Sequence, residues 1–444
     1  MTLEGQKVVS VEEMSRLENE AELQGYSKAH LMDNSARVIA DAAEAYIKKF
    51  NPHLHISLLT GKGNNAGDAF TAGIRLLEKG FSVGVFPLFP LHLYGSLCRQ
   101  RFHQFEKTGG KIYPVGTLAF GDKGIILDGI VGTGFEGEIE GILQSAIIQA
   151  NQSKLPILAI DIPSGVHGTT GEVGSVAIHA TQTIYLGLPK IGFYIGHGWD
   201  HVGTLVGADV GLPSKLIDQA HTQAYLLKDQ SLSLPPFKRS RHKYEAGYVV
   251  GIGGSKEMSG APLLSSLSTL RSGAGIIRLF HSTNMPQYPF SFEIIQEVYH
   301  PKRVFEECKR ASSLFIGPGL GKTPKTKKLL KQLLPLLTVP TICDADALFF
   351  LNECSLPKRC ILTPHRREME RLLPGQTAAL STCQAYADQK NVTLLLKGAP
   401  SFIFHPQTKP LHCNPWRSWD GHCRSGRRTY RCGGRSCCSK MPFT

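Results

Sequence analysis

Short apolar runs alternate along this chain with longer stretches in which apolar residues recur at helical spacing. The run Ile56, Ser57, Leu58, Leu59 reads as a buried parallel strand, and Phe70 to Lys79 carries apolar residues at helical spacing. Between them lies GKGNNAGDAF, Gly61 to Phe70, so this segment predicts a strand, a glycine loop and a helix. A second strand within Ile125 to Ile139 delivers Asp128, and a glycine loop from Gly132 to Gly137 follows it. A third strand, beginning near Leu155, ends in Asp161, Pro163, Ser164 and Gly165. After a strand-like stretch near Leu205 to Val210, the segment SLSLPPFKRS, Ser231 to Ser240, is rich in Ser, Pro and basic residues and marks a boundary. Beyond it, Tyr248 to Phe280 reads as strand, glycine turn, helix and strand, a right-handed crossover unit.

These loops have the chemistry of a binding crevice. Glycines let the backbone come close to a phosphate, and the unpaired N–H groups of the helix that follows point at the anion with the positive dipole end behind them. Asn64, Asn65 and Asp68 add side-chain oxygens that a purely phosphate-binding loop does not need. A carboxylate aimed at phosphates repels them unless a cation or a ribose hydroxyl accepts it, so the loop is expected to serve a cation or a sugar as well. In open parallel sheets ligands bind outside the carboxyl ends of strands, so this loop and those after Asp128 and Asp161 would converge on one crevice. Otherwise the Asn and Asp residues act only as caps of turns and helices.

Composition bounds the class. A chain of 444 residues is two to three times a typical domain, so two domains are expected. No run approaches the roughly 18 apolar residues of a membrane helix. Met1 to Glu20 has no hydrophobic signal core, which implies a cytoplasmic location. The net charge of +13 is uneven, because Cys413 to Thr444 supplies +6 of it. That stretch also holds five of the eleven cysteines and two of the three tryptophans, but no Val, Ile, Leu or Ala, so it can build no core element. Its cysteines lack the paired spacing of a closed zinc site. As a nucleic-acid arm it lacks interleaved aromatic and basic residues.

Taken together, GNNAGD, LDGIVGTGFEGE and AIDIPSGV resemble the NAD(P)HX epimerase domain, the N-terminal half of bifunctional nicotinamide-nucleotide repair enzymes. The resemblance spans about residues 8 to 215, including LMDNSARVIA at Leu31 to Ala40 and GLPKIGFY at Gly187 to Tyr194. It implies that Asn64, Asn65, Ala66, Gly67, Asp68, Gly132, Thr133, Gly134, Phe135, Glu136, Gly137, Glu138 and Asp161 lie on the hydrated dinucleotide. It also implies potassium bound by Asn65, Asp128 and Ser164, which suits a large cation that takes oxygen ligands. Asp128, Asp161 and Lys190 are the candidate acid–base groups. Ala66 and Ala69 stand where the family has glycine, and a positive φ at either would cost about 1 kcal/mol.

Farther on, SLFIGPGLGK at Ser313 to Lys322, TICDADALFFL at Thr341 to Leu351, ILTPHRREMERL at Ile361 to Leu372 and LLLKGAPSFIF at Leu394 to Phe404 resemble in order and content the ADP- or ATP-dependent NAD(P)HX dehydratase. The implied fold class is therefore α/β: a Rossmann-like three-layer αβα domain (residues 1–222) followed by a ribokinase-like αβα domain (223–412) that is truncated at its end. Ala261, Gly319, Gly321 and His365 would face the hydrate, and Lys397, Gly398, Ala399, Pro400 and Ser401 the nucleotide, ADP or ATP with Mg2+. The family's chemistry phosphorylates the hydroxyl of the hydrate and expels phosphate. Taken singly, Asp344 and Asp346 could merely cap the next helix, and His365 could sit in a surface turn.

The dehydratase family then needs a GSGD-type helix start, and the chain lacks it. After Asn414 and Pro415 it reads WRSWDGHCRSGRRTYRCGG. Trp416 to Arg424 can be encoded as TGG AGA TCC TGG GAT GGC CAC TGC AGG, and a shift of one nucleotide turns this into Gly-Asp-Pro-Gly-Met-Ala-Thr-Ala. The tail is thus expected to be a frameshift product, with the dehydratase impaired and apolar surface uncovered by loss of the final helices. The substrates implied are hydrated NADH and NADPH, with neither nucleic acid nor membrane as partner; homo-oligomer formation is left open. A small-alcohol kinase of the ribokinase-like class and a noncatalytic nucleotide-binding protein are the alternative functions compatible with the motifs.

Overall fold

The structure, a computed structural model, describes residues 4–50, 55–135, 137–227, 240–282, 285 and 292–413. In chain order its strands are β1 (Glu4–Val8), β2 (Ile56–Thr60), β3 (Val83–Pro87), β4 (Lys111–Ile112), β5 (Ile125–Gly129), β6 (Ile157–Ile160), β7 (Gln182–Leu186), β8 (Thr204–Ala208), β9 (Ala224–Leu227), β10 (Tyr248–Ile252), β11 (Ile276–His281), β12 (Ile294–Val298), β13 (Ser313–Ile316), β14 (Thr341–Cys343), β15 (Cys360–Leu362), β16 (Thr393–Leu396), β17 (Ser401–Phe404) and β18 (Leu411–Cys413). They form two sheets. The seven-stranded one has the order β4-β3-β2-β5-β6-β7-β8 and is parallel throughout.

This sheet is buried on both faces, as its near-continuous apolar strands require. Successive residues point to opposite sides. Ile56 and Leu58 of β2, Ile125 and Leu127 of β5 and Leu158 and Ile160 of β6 pack in one core with α1 (Val11–Leu23), α2 (Lys28–Phe50), α3 (Asn64–Glu78) and α4 (Ser96–Lys107). Leu59, Ile126 and Ile157 pack in another with Ala146, Ile147 and Ala150 of α5 (Gly141–Gln152). The strand order reverses between β2 and β5, the switch point where such sheets bind ligands. α3 begins at Asn64, six residues before the apolar periodicity suggests, because the polar first turn carries no core residue in sequence pattern. Ala66 and Ala69 lie inside it without positive φ, so the expected strain is not there. The Ala69 methyl instead packs on Gly129, where an added Cβ would lie 2.8 Å away.

The second sheet has eleven strands in the order β1-β9-β18-β17-β16-β15-β14-β13-β10-β11-β12. The crossover unit read from Tyr248 to Phe280 is there: β10 and β11 pair in parallel on either side of the helix Gly260–Arg271. Sequence reading did not anticipate the other edge. β1 leaves the N-terminal unit and pairs antiparallel with β9, and β9 pairs in parallel with β18, so strands from both ends of the chain close one sheet. His412 of β18 sits in this seam with its ring 4.2 Å from Tyr194 and 5.3 Å from Phe402, centroid to centroid.

One face of the large sheet is covered by the helices Pro301–Arg310, Pro324–Leu333, Arg366–Leu372 and Leu380–Lys390. On the other, the helix Gly260–Arg271 covers the β10–β11 side through Leu263. Phe315, Ile342 and Ile361 stand in register along β13, β14 and β15, and Ile342 and Ile361 are 40% and 36% exposed. A groove of about 580 Å³ lined by Phe315, Ile342, Ser265 and Ser268 lies there. Central parallel strands are normally buried on both faces, and among the described residues this strip is only partly covered. Among the described residues, no helix is long and apolar enough to cross a membrane.

Candidate functional site

The N-terminal crevice is built from loops at the carboxyl ends of β2, β5, β6 and β7. The β2 and β5 loops touch through bare backbone: a Cβ on Gly61 would lie 2.1 Å from the Ile130 carbonyl oxygen. Gly63 and Gly134 are different, since a Cβ on either would meet nothing within 4 Å and neither has positive φ. Among the described residues no contact explains glycine at these two positions, whereas a ligand running over the loops would. Gly63, which precedes α3, offers no side-chain cap, leaving the N–H groups of the helix's first turn for a bound group.

Asp128 at the end of β5 is fully buried and joins two loops. Its Oδ2 accepts from Ser164 N (2.8 Å), and its Oδ1 from Ser164 Oγ (2.6 Å) and Ile130 N (3.2 Å). Ser164 Oγ in turn accepts from Val131 N (3.1 Å). Burial pushes the Asp128 carboxyl up to about 6, against the lowering effect of these hydrogen bonds. No Lys or Arg pairs with it among the described residues. Asn65 is buried beside it, with its amide oxygen against Gly132 and its amide nitrogen without a partner. Asn65, Asp128 and Ser164 thus offer an amide oxygen, a carboxylate and a hydroxyl around a buried charge that lacks a counter-ion. Oxygen donors of this kind suit a hard cation.

Asp161, one residue past β6, has φ +65°, a left-handed conformation uncommon for a residue with a Cβ. Two bonds hold it there: Oδ1 accepts from Leu186 N (3.1 Å) and from the fully buried Lys190 ammonium, which also donates to the Leu186 carbonyl (2.8 Å). Asp68, the fifth residue of α3, is buried. Burial first, then repulsion by Asp161 and Glu18, holds its carboxyl well above the usual range, with Arg101 opposing. Sequence reading missed Glu18. It lies four residues after the buried Met14 in α1, and burial holds its carboxyl above the usual range, with Lys190 opposing and Asp161 adding to the rise. Of the glycine loop after β5, Phe135 is buried, Gly134, Gly137 and Glu138 are exposed, and Gly132 and Thr133 are part-buried; Glu136 lies outside the described residues.

The C-terminal candidates also gather at strand ends, here along β10, β13, β14, β15 and β16, which are adjacent and parallel. Gly317 and Gly319 have positive φ and no room for a side chain, since a Cβ would meet Asp344 O at 1.8 Å and Met258 O at 2.2 Å. Gly321 N donates to Asp346 Oδ2 (2.9 Å), tying this loop to the end of β14. Lys397 pairs with Asp344 (2.7 Å), and Ser401 Oγ donates to Gly398 O (2.9 Å), closing the turn through Ala399 and Pro400. Asp344 therefore serves Lys397 and makes no helix-cap bond with its side chain. His365 is a helix cap: its Nδ1 accepts from Glu368 N (3.2 Å), and Glu368 Oε2 accepts from His365 N (2.9 Å). Ala261 is exposed at the start of the helix Gly260–Arg271. The residues after Cys413, including the altered motif from Trp416, lie outside the described residues.

Two family profiles match this chain in succession. The family profile described as YjeF-related protein N-terminus matches residues 28–192, and that described as NAD(P)H-hydrate dehydratase matches residues 249–422. The bifunctional NAD(P)H-hydrate repair enzyme Nnr of Moorella thermoacetica is 31% identical over 426 residues, covering 87% of this chain and 79% of its own. That of Coxiella burnetii is 30% identical over 371 residues, covering 82% and 74%. Among solved structures, the Bacillus subtilis ADP/ATP-dependent NAD(P)H-hydrate dehydratase co-crystallized with ATP/Mg2+ shows 26% identity and a TM-score of 0.34 over 41% of this chain and 68% of its own. With both profiles matched in order and these relatives aligned over most of its length, the chain belongs to the family of bifunctional NAD(P)H-hydrate repair enzymes.

Proposed function

We propose that the N-terminal unit interconverts the R and S hydrates of NADH and NADPH, and that the C-terminal unit dehydrates the S form with ADP or ATP. The observation that carries the epimerase assignment is the convergence at one sheet switch point of the uncapped α3 start, the counter-ion-free Asp128 and the Asp161–Lys190 pair. In this reading Asn64, Asn65, Ala66, Gly67 and Asp68, with Gly132 to Glu138, hold the dinucleotide, its phosphates lying on the bare backbone near Gly63 and Gly134. Asp161 and Lys190 orient the nicotinamide end and exchange protons there. Potassium held by Asn65, Asp128 and Ser164 supplies the positive charge that Asp128 lacks. In the C-terminal crevice Ala261, Gly319, Gly321 and His365 face the hydrate, and Lys397 to Ser401 the nucleotide. ADP or ATP with Mg2+ supplies the phosphoryl group that makes the hydroxyl a leaving group. The division at residues 222 and 223 follows these two crevices.

Purified protein incubated with mixed R and S hydrates, followed by chromatography, tests the first activity. Interconversion faster than in buffer is expected, and Asp128→Asn is expected to abolish it at matched protein stability; an unchanged rate in that variant removes Asp128 from the site. Adding ADP or ATP with Mg2+ tests the second activity. The absence of the GSGD-type start predicts dehydration far below the rate of epimerisation, and a comparable rate would refute the impairment.

A further inference from the structure

β1 belongs to the large sheet, yet the chain just past it reaches the N-terminal crevice. Val8 and Val9 are both fully buried, and as neighbours in extended chain they serve different cores: Val8 that of the large sheet, Val9 that of the seven-stranded one. On the first side, the Val8 carbonyl accepts from Gln223 N (2.8 Å) and Thr222 Oγ1 (3.2 Å), and the Lys7 ammonium donates to the Asp218 and Ala220 carbonyls (2.6 and 3.2 Å). On the second, Val9 N donates to Pro189 O (3.0 Å) and Val9 O accepts from Ile191 N (2.8 Å), so Val9 grips the chain immediately before and after Lys190. Gln6 adds another contact, its Oε1 accepting from the Tyr185 hydroxyl (2.9 Å). The next residue, Leu186, is where the buried pair converges: its N donates to Asp161 Oδ1 and its carbonyl accepts from Lys190.

Lys190 needs such a hold. It stands just before the three-residue 3-10 turn Ile191–Phe193, an element too short to fix a long, flexible side chain by itself. An ammonium carries three N–H donors, and that of Lys190 finds two acceptors among the described residues, Asp161 Oδ1 and the Leu186 carbonyl. Where a group takes part in a reaction, a displacement of about 1 Å can cost about a hundredfold in rate. The backbone that carries Lys190 is set by two bonds, and both come from Val9.

Resting on the epimerase reading above, we propose that Gln6 and Val9 are positioning residues of the epimerase crevice. The Val9 main chain sets the backbone of Lys190, Gln6 sets Tyr185, and together they hold the ammonium on Asp161 with its third N–H left for the hydrate. Neither residue touches substrate. Because β1 is anchored on β9, and β9 on β18, the geometry of the first site rests on strands of the second unit's sheet. The Tyr194 ring, 4.2 Å from that of His412 in β18, ties the far end of the Lys190 segment to the same sheet.

The test compares the full chain with Val9→Pro, which removes the N–H that bonds Pro189, and with Gln6→Leu and Gln6→Glu, which remove and keep an acceptor for Tyr185. Two quantities are read on each: kcat and KM for hydrate epimerisation, and the rate at which acetic anhydride acetylates Lys190, followed by mass spectrometry of its peptide. Val9→Pro should lower kcat at least about tenfold with KM within about twofold, and raise acetylation of Lys190 at least about tenfold while the exposed Lys154 reacts as before. Ile147→Ala, a core change in α5, controls for lost stability and should move neither quantity. A folded Val9→Pro chain with wild-type kcat and a protected Lys190 overturns the proposal and leaves the epimerase assignment intact. If Val9→Pro does not fold, the Gln6 pair decides: Gln6→Leu should change both quantities in the same directions and Gln6→Glu neither, and two variants that behave alike overturn the proposal. A wild-type chain that epimerises no faster than buffer overturns the epimerase reading, while the acetylation rates still report whether β1 holds Lys190.

Discussion

Lys190→Met tests whether the Asp161–Lys190 pair is structural, chemical or both. The ammonium is fully buried and bonded to Asp161 Oδ1 and the Leu186 carbonyl, and its backbone neighbours are held by Val9. Methionine keeps the volume but leaves Asp161 as an uncompensated buried charge in a left-handed conformation. Breaking a buried pair from one side costs about 3–5 kcal/mol. For a unit of this size, about 1 kcal/mol corresponds to roughly 2–4 °C, so a loss of about 6–20 °C in the melting temperature is expected. Asp161→Asn in the Lys190→Met background removes the stranded charge and should recover much of that loss without recovering epimerisation. The assay is a double-mutant cycle by thermal and urea unfolding, with hydrate interconversion measured on each variant. A single variant as stable as wild type, or a double variant no more stable than the single, would refute the reasoning.

Three further outcomes follow from other parts of the molecule. Asp128 has a folded-state value of about 6, above that of an unfolded aspartate, so its contribution favours the fold at low pH and is lost as pH rises from about 4 to about 6, reaching about 3 kcal/mol. Melting curves in a tetraalkylammonium buffer should show that loss, potassium should reduce it, and Asp128→Asn should lack it. His412 is fully buried with both ring nitrogens unpartnered among the described residues, and burial pushes it down to about 4. His412→Leu should therefore stabilise the seam by about 1–3 kcal/mol and remove the stability lost as pH falls from about 6.5 toward 4, as read from urea midpoints. Ile361→Lys should change the unfolding free energy, read from urea titration, by less than about 0.5 kcal/mol and lower the binding of an apolar dye; a large destabilisation would mean that this face is packed.

Much of this was legible in the sequence, and the remainder was hidden for identifiable reasons. Runs such as Ile56 to Leu59 and Tyr248 to Ile252 are apolar at every or nearly every position, which only a strand covered on both faces needs, so both sheet centres could be read. Asp128 and Asp161 stood out because each ends such a run. β1 did not, since Glu-Gly-Gln-Lys-Val has a single large apolar residue and pairs with a strand more than 200 residues away. The bond from Lys190 to Asp161 and the approach of Glu18 depend on three separate elements meeting, which no local period encodes. The partial exposure of Ile342 and Ile361 could not be read either, since their runs look like any buried strand.

The seam through β1, β9 and β18 has a consequence for taking the two activities apart. A fragment ending at Thr222 would keep Glu4–Val8 but lose the strand it pairs with, and one starting at Gln223 would carry β9 with one edge bare. A protease cut between Leu227 and Tyr248, by contrast, leaves every ladder bond of the seam in place. The two halves of such a nicked chain should elute together and part only in denaturant, so the covalent linker and the physical joint lie in different places.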